Sequence, residues 1–400
     1  MSRRADNVLI VALGTTQTLA WASSYYLPAI LADPIARDLG ISTNWLFAAF
    51  SMALVISGLL GPRVGRQIDR MGGREVLCAS NLILASGLIL LGLSQGMVLM
   101  AASWLLLGVG MGLGLYDAAF AALGRIYGNS ARRSITGITL IAGFASTIGW
   151  PLSAWGLATI GWRWTCFGWA AAHLLICLPL NAFLIPKLKS EHRIAADTPK
   201  PHIPIDRAML LLAFAFAAAW SVTSAMAVHL PRILEALGAT QTQAIAAGAL
   251  IGPAQVAARI VEASLLKRFH PLWSARLACI THPLGACVIG LFGGGFAGIF
   301  ALLHGAGNGI LTIARGTLPL AIFGPKDYGY RLGLLGAPSR LSQAIAPLAF
   351  GFLIAPLGGY TFAVTSALSL AALLALFALK AEPKIPSQSR RDPSSAEPSR

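Results

Sequence analysis

Four polar side chains recur at helical spacing along the apolar segment 296–323. They are His304, Asn308, Thr312 and Arg315, separated by four, four and three residues. At 3.6 residues per turn, these positions form one stripe along a helix. Polar groups inside a long apolar segment are costly, so they face water, a ligand or a partner helix. The stripe therefore predicts either a wall that contacts a polar solute or a hydrogen-bonded contact between helices.

A second arginine lies in the next apolar segment, 332–356. Arg340 is followed three residues later by Gln343, on the same helical face. Arg315 and Arg340 both lie about eight residues from the same-side end of their segments, so both are about 12 Å deep. Two guanidinium groups at one depth favour an anion site, because arginine binds a carboxylate through paired hydrogen bonds. Alternatively, one arginine neutralises a carboxylate of the protein and the other binds helix-end carbonyls.

Asp117 is the only carboxylate well inside the apolar segments of the first half of the chain. A carboxylate away from water can take up and release a proton as its surroundings change. Asp117 is therefore predicted either to couple a proton or to form a static pair with Arg315 or Arg340. Gln17 and Trp21, four residues apart in the first apolar segment, are further candidates for contact with a solute.

Composition places these residues in a membrane protein. The chain has 400 residues, of which 56% are hydrophobic and 11% charged, and its mean hydropathy is +0.70. So few charges cannot cover the surface of a soluble protein. Windows of about 20 apolar residues predict twelve transmembrane helices and an all-α fold. The predicted spans are 8–31, 44–62, 75–94, 97–124, 134–158, 163–186, 208–230, 240–262, 272–294, 296–323, 332–356 and 359–380.

The spans divide the chain into two predicted bundles of six helices. The bundles cover residues 1–186 and 208–380, and the polar stretch 187–207 reads as a cytoplasmic linker. Residues 381–400 have a composition that cannot form a packed core, which predicts a disordered cytoplasmic tail.

The charge distribution agrees with twelve spans. With a cytoplasmic N-terminus, 24 of the 30 lysines and arginines lie on the cytoplasmic side. That asymmetry follows the positive-inside rule, so both termini are predicted to be cytoplasmic in a plasma (inner) membrane. The net charge of +15 lies in loops between apolar segments, so no nucleic-acid partner is expected.

The two halves also repeat each other in sequence. The stretch 26–31 (YLPAIL) returns as 229–234 (HLPRIL), and the Gly-Pro pair at 61–62 returns at 252–253. The repeated stretches are separated by about 195 residues, and this separation aligns Asp117 in the first half with Thr312 in the second half. Asp117 is therefore predicted to face the same cavity as the stripe. The second copy of the Gly-Pro region keeps Arg259 and Glu262, three residues apart, which predicts a structural ion pair.

The loop between the second and third spans reads GPRVGRQIDRMGGR. It resembles the G-x-x-x-D-R-x-G-R-R motif of the major facilitator superfamily, with Gly73 in place of a basic residue. The matching residues are Gly65, Asp69, Arg70, Gly72 and Arg74. The resemblance implies two pseudo-symmetric six-helix bundles, a cytoplasmic gate in which Asp69 joins the halves, and a central cavity lined by the first, fourth, seventh and tenth helices.

The resemblance also implies secondary transport by alternating access. No nucleophile–base spacing, metal triad or ATP-binding loop appears, so neither an enzyme nor a cofactor nor a metal site is expected. The expected partners are a small-molecule substrate, a coupling ion (a proton) and the lipid bilayer, with the protein acting as a monomer.

Two substrate hypotheses remain open. The motif and the arginines are similar to the monocarboxylate and oxalate/formate-like branches, which implies a small organic anion. The alternative is proton-driven efflux of a toxic solute, either a drug or arsenite. A thiol site for arsenite is disfavoured because the five cysteines lie in the third, sixth and ninth spans, which the family places at the periphery. They are Cys78, Cys166, Cys177, Cys279 and Cys287.

Overall fold

The computed structural model describes residues 3–188 and 205–379, and regular structure in these ranges is entirely helical. The first half comprises α1 (Arg3–Ser23), α2 (Pro28–Asp38), α3 (Thr43–Met71), α4 (Arg74–Gly92), α5 (Met97–Gly114), α6 (Tyr116–Tyr127), α7 (Arg132–Ala142), α8 (Ala145–Ala172) and α9 (Leu178–Leu184). The second half comprises α10 (Arg207–Ala236), α11 (Gln241–Ser264), α12 (Pro271–Phe292), α13 (Ala297–Phe323), α14 (Tyr328–Leu357) and α15 (Thr361–Phe377). The predicted all-α membrane fold is confirmed.

Helices α3, α10 and α11 begin where the sequence supplies side-chain caps. Ser42 accepts a hydrogen bond from the Asn44 N–H at the start of α3, and Asp206 accepts one from Met209 at the start of α10. Thr240 opens α11 with a reciprocal capping box. These side chains satisfy N–H groups that have no partner inside the helix.

The predicted spans of the first half differ from single helices. The first span is divided between α1 and α2. The fourth is broken at Leu115, whose extended backbone (φ −79°, ψ −174°) separates α5 from α6. The fifth and sixth spans meet inside α8 at Gly161, whose φ of 81° departs from helical geometry. Glycine tolerates this φ because it has no Cβ.

The described helices include eight segments long and apolar enough to cross a membrane. One of them, Met97–Leu184, contains three of the predicted spans. Large apolar side chains also point outward, among them Val98 at 84% exposure and Phe183 at 82%. A soluble surface seldom carries so many exposed apolar groups, whereas lipid solvates them.

Packing divides the interior into three apolar clusters. One fills the first half, and two fill the second half at opposite ends. On α12, for example, one cluster ends at Cys279 and the other begins at Ala286. Between the two lies a buried polar layer, which includes Ser224, His282, His304, Arg340, Gln343 and Thr365. The second half therefore carries its polar groups at mid-depth, where the bilayer is least tolerant of them.

The two halves meet mainly along α3 and α14. Gly65 faces Gly329 so closely that a Cβ on Gly65 would overlap the Gly329 carbonyl oxygen. Likewise, a Cβ on Gly333 would overlap the Gly61 carbonyl oxygen. Small residues let two backbones approach without intervening side chains. Contacts of α7 with α11 and α13 add to this junction. We call the end of the molecule that carries residues 65–74 the motif end.

Part of the predicted domain division lies outside the described residues. Of the linker 187–207, the structure describes only the first two and last three residues. The tail 381–400 lies wholly outside. These boundaries stay predictions.

Candidate functional site

Asp117 and Arg315 form an ion pair between the two halves. Arg315 Nε donates to Asp117 Oδ1 at 2.8 Å, and Nη2 donates to Oδ2 at 2.7 Å. This two-bond geometry is the strongest that arginine makes with a carboxylate. The Arg315 side chain is 6% exposed and that of Asp117 is 20% exposed. Of the two roles predicted for Asp117, the structure places it in the pair, while proton coupling stays a prediction.

The break at Leu115 explains how Asp117 reaches the interface. It puts Asp117 in the first turn of α6, where backbone N–H groups favour a negative charge. Gln17 Nε2 donates to the Gly114 carbonyl at 2.6 Å, at the end of α5 beside the break. Gly336 on α14 lies against the pair, since a Cβ there would be 3.1 Å from Asp117 Oδ2. The glycines at 108, 110, 112 and 114 are the one feature of the sequence that precedes this break.

Arg340 differs from Arg315 in having no carboxylate partner. It is 4% exposed, and its Nη1 donates to Gln343 Oε1 at 3.1 Å. Its guanidinium lies 5.6 Å from the centre of the Trp21 ring. Within residues 3–188 and 205–379, its Nε has no hydrogen-bond partner and no salt bridge involves it. Arg340 is therefore a buried cation with an unused donor.

Arg259 is a third buried arginine at the interface, and the sequence reasoning assigned it wrongly. The predicted pair with Glu262 is absent, since Arg259 turns toward α7 and donates to the Thr139 carbonyl at 3.0 Å. Its other contacts are long, at 3.4 Å to Gln255 Oε1 and 3.5 Å to Thr312 Oγ1. Its Nε has no partner in the described part of the chain. The position of Arg259 inside the predicted span 240–262 is the feature of the sequence that indicates a role at the interface.

Aromatic rings lie near Arg340 and near Arg259. Trp21 contacts Tyr25, Tyr26 and Tyr116, with ring centres 5.1, 6.1 and 5.0 Å apart. The Trp21 indole N–H has no partner among the described residues. Tyr26 and Tyr116 lie within electrostatic range of Arg259, and Tyr25 lies within range of Arg340. An aromatic wall thus lies near both unpaired cations.

The polar stripe lies on α13, but its members contact four different helices. His304 bonds His282 on α12, and Asn308 accepts from Thr223 on α10 at 3.4 Å. Thr312 Oγ1 accepts a long hydrogen bond from Arg259 on α11. Arg315 forms the ion pair with Asp117 on α6. Only Thr312 and Arg315 therefore reach groups at the junction of the halves. Contact of the stripe with substrate stays a prediction.

Gln343 links α14 to α1, and a small cavity lies beside the Asp117–Arg315 pair. Gln343 Nε2 is 3.5 Å from the Tyr25 hydroxyl, which joins α14 to α1. A cavity of about 20 Å³ touches both Asp117 and Arg340. Such a volume holds about one water molecule. This cavity therefore has room for water but not for an organic anion in the described conformation.

The motif residues form a closed contact between α3 and α14. Asp69 accepts hydrogen bonds from the backbone N–H groups of Gly329 and Tyr330, at 2.8 and 2.7 Å. These N–H groups begin α14, where the helix dipole favours a carboxylate. The remaining motif residues shape the loop. Arg70 is exposed in the last turn of α3, Gly72 ends that helix with φ 89°, and Arg74 begins α4.

A second contact closes the same end from the other half. Glu262 on α11, whose side chain is 2% exposed, accepts from Arg132 on α7 at 3.2 Å. Ser274 donates to its other oxygen at 2.7 Å, and Arg132 also donates to the Phe269 carbonyl at 2.8 Å. Buried carboxylates require such partners. Each half therefore contributes one carboxylate that holds the motif end closed.

These features define the class of protein: a multi-pass membrane transporter of the secondary type. A sequence profile of the Major Facilitator Superfamily matches residues 13–303. The chain belongs to this superfamily, whose members are transporters rather than enzymes.

Two solved structures support the fold. One is the major facilitator superfamily proton:xylose symporter XylE bound to 6-bromo-6-deoxy-D-glucose, with TM-score 0.72, 12% identity, and coverage of 96% of this chain and 98% of that one. The other is the human organic anion transporter MFSD10 (TETRAN), with TM-score 0.67, 18% identity, and coverage of 94% and 99%. Among curated proteins, none matches this chain in sequence.

The glycine contact at the motif end gives the first prediction. Gly65→Ala should separate α3 from α14, because the added methyl overlaps the Gly329 carbonyl. In a cysteine-free background, pulsed EPR between spin labels at Met71 and Lys326 should report a longer distance than in the parent.

Gly252→Ala is the matched control, since a Cβ at Gly252 meets nothing within 4 Å. It should leave the distance distribution unchanged. Equal distances in the parent and Gly65→Ala would contradict the close approach of the two helices.

Proposed function

We propose that this chain transports a small organic anion across the inner membrane by alternating access, driven by a proton gradient. The observation that carries the proposal is Arg340, a buried cation that has an unused donor and, among the described residues, no salt bridge. An unpaired charge at bilayer depth is costly. An anionic substrate would remove that cost each time it binds.

Arg259 provides the second contact for the anion. It is 5% exposed and also has an unused Nε. Among the described residues, the buried centre of the interface thus has three arginines, including Arg315, against the one carboxylate of Asp117. The excess positive charge favours an anion, and the Trp21 indole N–H supplies another donor. MFSD10, described as an organic anion transporter, has the same fold at 18% identity.

The Asp117–Arg315 pair supplies the coupling in this proposal. Protonation of Asp117 removes the negative charge that holds Arg315. The halves would then lose their strongest mid-depth contact, and the motif end could open. Return of the proton would restore the pair and close that end. A proton gradient and an anion gradient thereby act on the same junction.

The orientation follows from the charge distribution. We place the motif end, the linker and both termini in the cytoplasm, as the positive-inside rule requires. The described conformation is then closed to the cytoplasm. The monomer is the unit of transport, because both halves of the site come from one chain.

Arg340→Gln should abolish transport while leaving the protein folded. Loss of a charged hydrogen bond weakens binding by about 10- to 100-fold. Removing an unpaired buried cation should also raise thermal stability, because the substitution removes a desolvation cost. Uptake of labelled oxalate and lactate into proteoliposomes, together with thermal unfolding in detergent, measures both effects.

Arg37→Gln is the control, since Arg37 is exposed and its hydrogen bond in the described part of the chain goes to the Asp33 backbone carbonyl. It should transport normally. Arg315→Gln should instead lower stability by about 3–5 kcal/mol, because it leaves Asp117 unpaired. Normal uptake by Arg340→Gln would rule out the anion site.

Asp117→Asn should uncouple transport from the proton gradient. The amide cannot ionise, so accumulation driven by a pH gradient should disappear while exchange of substrate across the membrane continues. Proteoliposomes with an imposed pH gradient, compared with preloaded proteoliposomes without one, separate the two activities. Accumulation at the wild-type level would remove Asp117 from the coupling step.

A further inference from the structure

A pair of histidines lies in the polar layer of the second half, away from the Asp117–Arg315 junction. His282 on α12 and His304 on α13 face each other with their Nδ1 atoms 3.0 Å apart. On the far side, His282 Nε2 is 2.9 Å from the Thr365 hydroxyl on α15. The two imidazoles are 4% and 5% exposed. Of the two contacts that the stripe predicts for His304, with a polar solute or with a partner helix, the structure shows the contact with a partner helix.

The hydrogen bonds around Thr365 fix the proton positions. The Thr365 hydroxyl lies 3.3 Å from the Thr361 carbonyl and 3.2 Å from that of Phe362, so it donates there. Its oxygen then accepts from His282 Nε2–H. A neutral His282 protonated at Nε2 has a bare Nδ1, which accepts from His304 Nδ1–H. The nitrogen with a free lone pair is therefore His304 Nε2.

This arrangement takes up one proton as a unit. A proton on His304 Nε2 leaves both hydrogen bonds intact and makes the bond between the Nδ1 atoms charge-assisted, hence stronger. A second proton, on His282 Nδ1, would set two N–H donors against each other. Interacting groups of this kind titrate as a pair rather than singly.

The surroundings of the pair are uncharged. The Phe300 ring stacks on His304 with centres 5.6 Å apart, and Phe362 lies 4.4 Å from Phe300. On α10, His229 turns to α14, where its Nε2 bonds the Pro347 carbonyl at 2.7 Å. On the two helices of the pair, the nearest charged residues are Arg276, six residues before His282, and Arg315, 11 residues after His304. The other packed helices carry Arg207, Arg232 and Glu235 on α10, Arg259 and Glu262 on α11, and Arg331 and Arg340 on α14. Among the described residues, the hydrogen bonds and ring contacts of the two imidazoles involve none of these charged side chains.

We propose that His282 and His304 form a proton-binding site in the second half, separate from Asp117, which sets the pH dependence of transport. The bound proton adds positive charge to the half that carries Arg259 and Arg340. It thereby favours entry of an anion. The proton site stands on its own geometry, whereas its effect on transport rests on the proposed function.

The first half contains a matched control. His173 bonds the Ser23 hydroxyl at 2.8 Å and Asn81 Oδ1 at 3.0 Å. It is fully buried, like the pair, but it has no imidazole partner among these contacts. His173 therefore separates the effect of a buried histidine from the effect of a histidine pair.

Magic-angle-spinning NMR of the full chain in proteoliposomes tests the site directly. The chain has seven histidines, and all are labelled with ¹⁵N. We expect one correlation between nitrogens of two different imidazoles, lost in His282→Gln and in His304→Gln but retained in His173→Gln. Acidification should convert the pair to a single imidazolium. Absence of the correlation in the wild type between pH 5 and 8, or uptake of two protons in one step, would overturn the proposal.

Substrate exchange tests the functional link, because exchange does not require net proton movement through Asp117. Acidification should speed oxalate exchange by the wild type and by His173→Gln, and this acceleration should be lost in His282→Gln. Acceleration retained in His282→Gln would overturn the link. A protein that gives the NMR correlation but moves no anion would contradict the proposed substrate while supporting the proton site.

Discussion

A charge at bilayer depth must be paired, and this requirement governs the interface between the two halves. Asp117 satisfies this requirement for Arg315, because the two side chains share two short hydrogen bonds. In the part of the chain that the structure describes, Arg340 and Arg259 have no salt bridge and keep unused donors. Because transfer of an ion from water into a low-dielectric interior is so costly, this imbalance is the feature of the molecule that most constrains its function. A protein with no anion to bind would gain stability by losing these two cations.

The close approach of α3 and α14 brings the pair together. Glycines at Gly65 and Gly329 remove the side chains that would hold the helices apart. The Asp69 carboxylate then reaches the first N–H groups of α14, and Gly336 leaves room for Asp117 beside the same helix. Loss of one contact would weaken the others, since all depend on the same separation of two rigid helices. Such a junction has the cooperativity that alternating access needs.

The sequence predicted the fold and the general location of the polar groups, but not their partners. Periodicity identifies which face of its own helix a residue occupies, so Arg315 and Asp117 were recognised as buried and as possible partners. It says nothing about the neighbouring helix. Arg259 was therefore joined to Glu262 by spacing alone, although the two turn to different helices. The pairing of His282 with His304 was missed for the same reason, since the two residues are 22 positions apart and lie on different helices.

The most direct test of the central claim is a cryo-EM structure of the protein with oxalate bound. The account predicts density for the anion at the junction of the halves, within hydrogen-bond distance of Arg340 and Arg259 and beside Trp21. It also predicts that the Nε donors of both arginines are then occupied. A structure in which oxalate leaves this region empty, or in which both arginines bind carboxylates of the protein itself, would contradict the account.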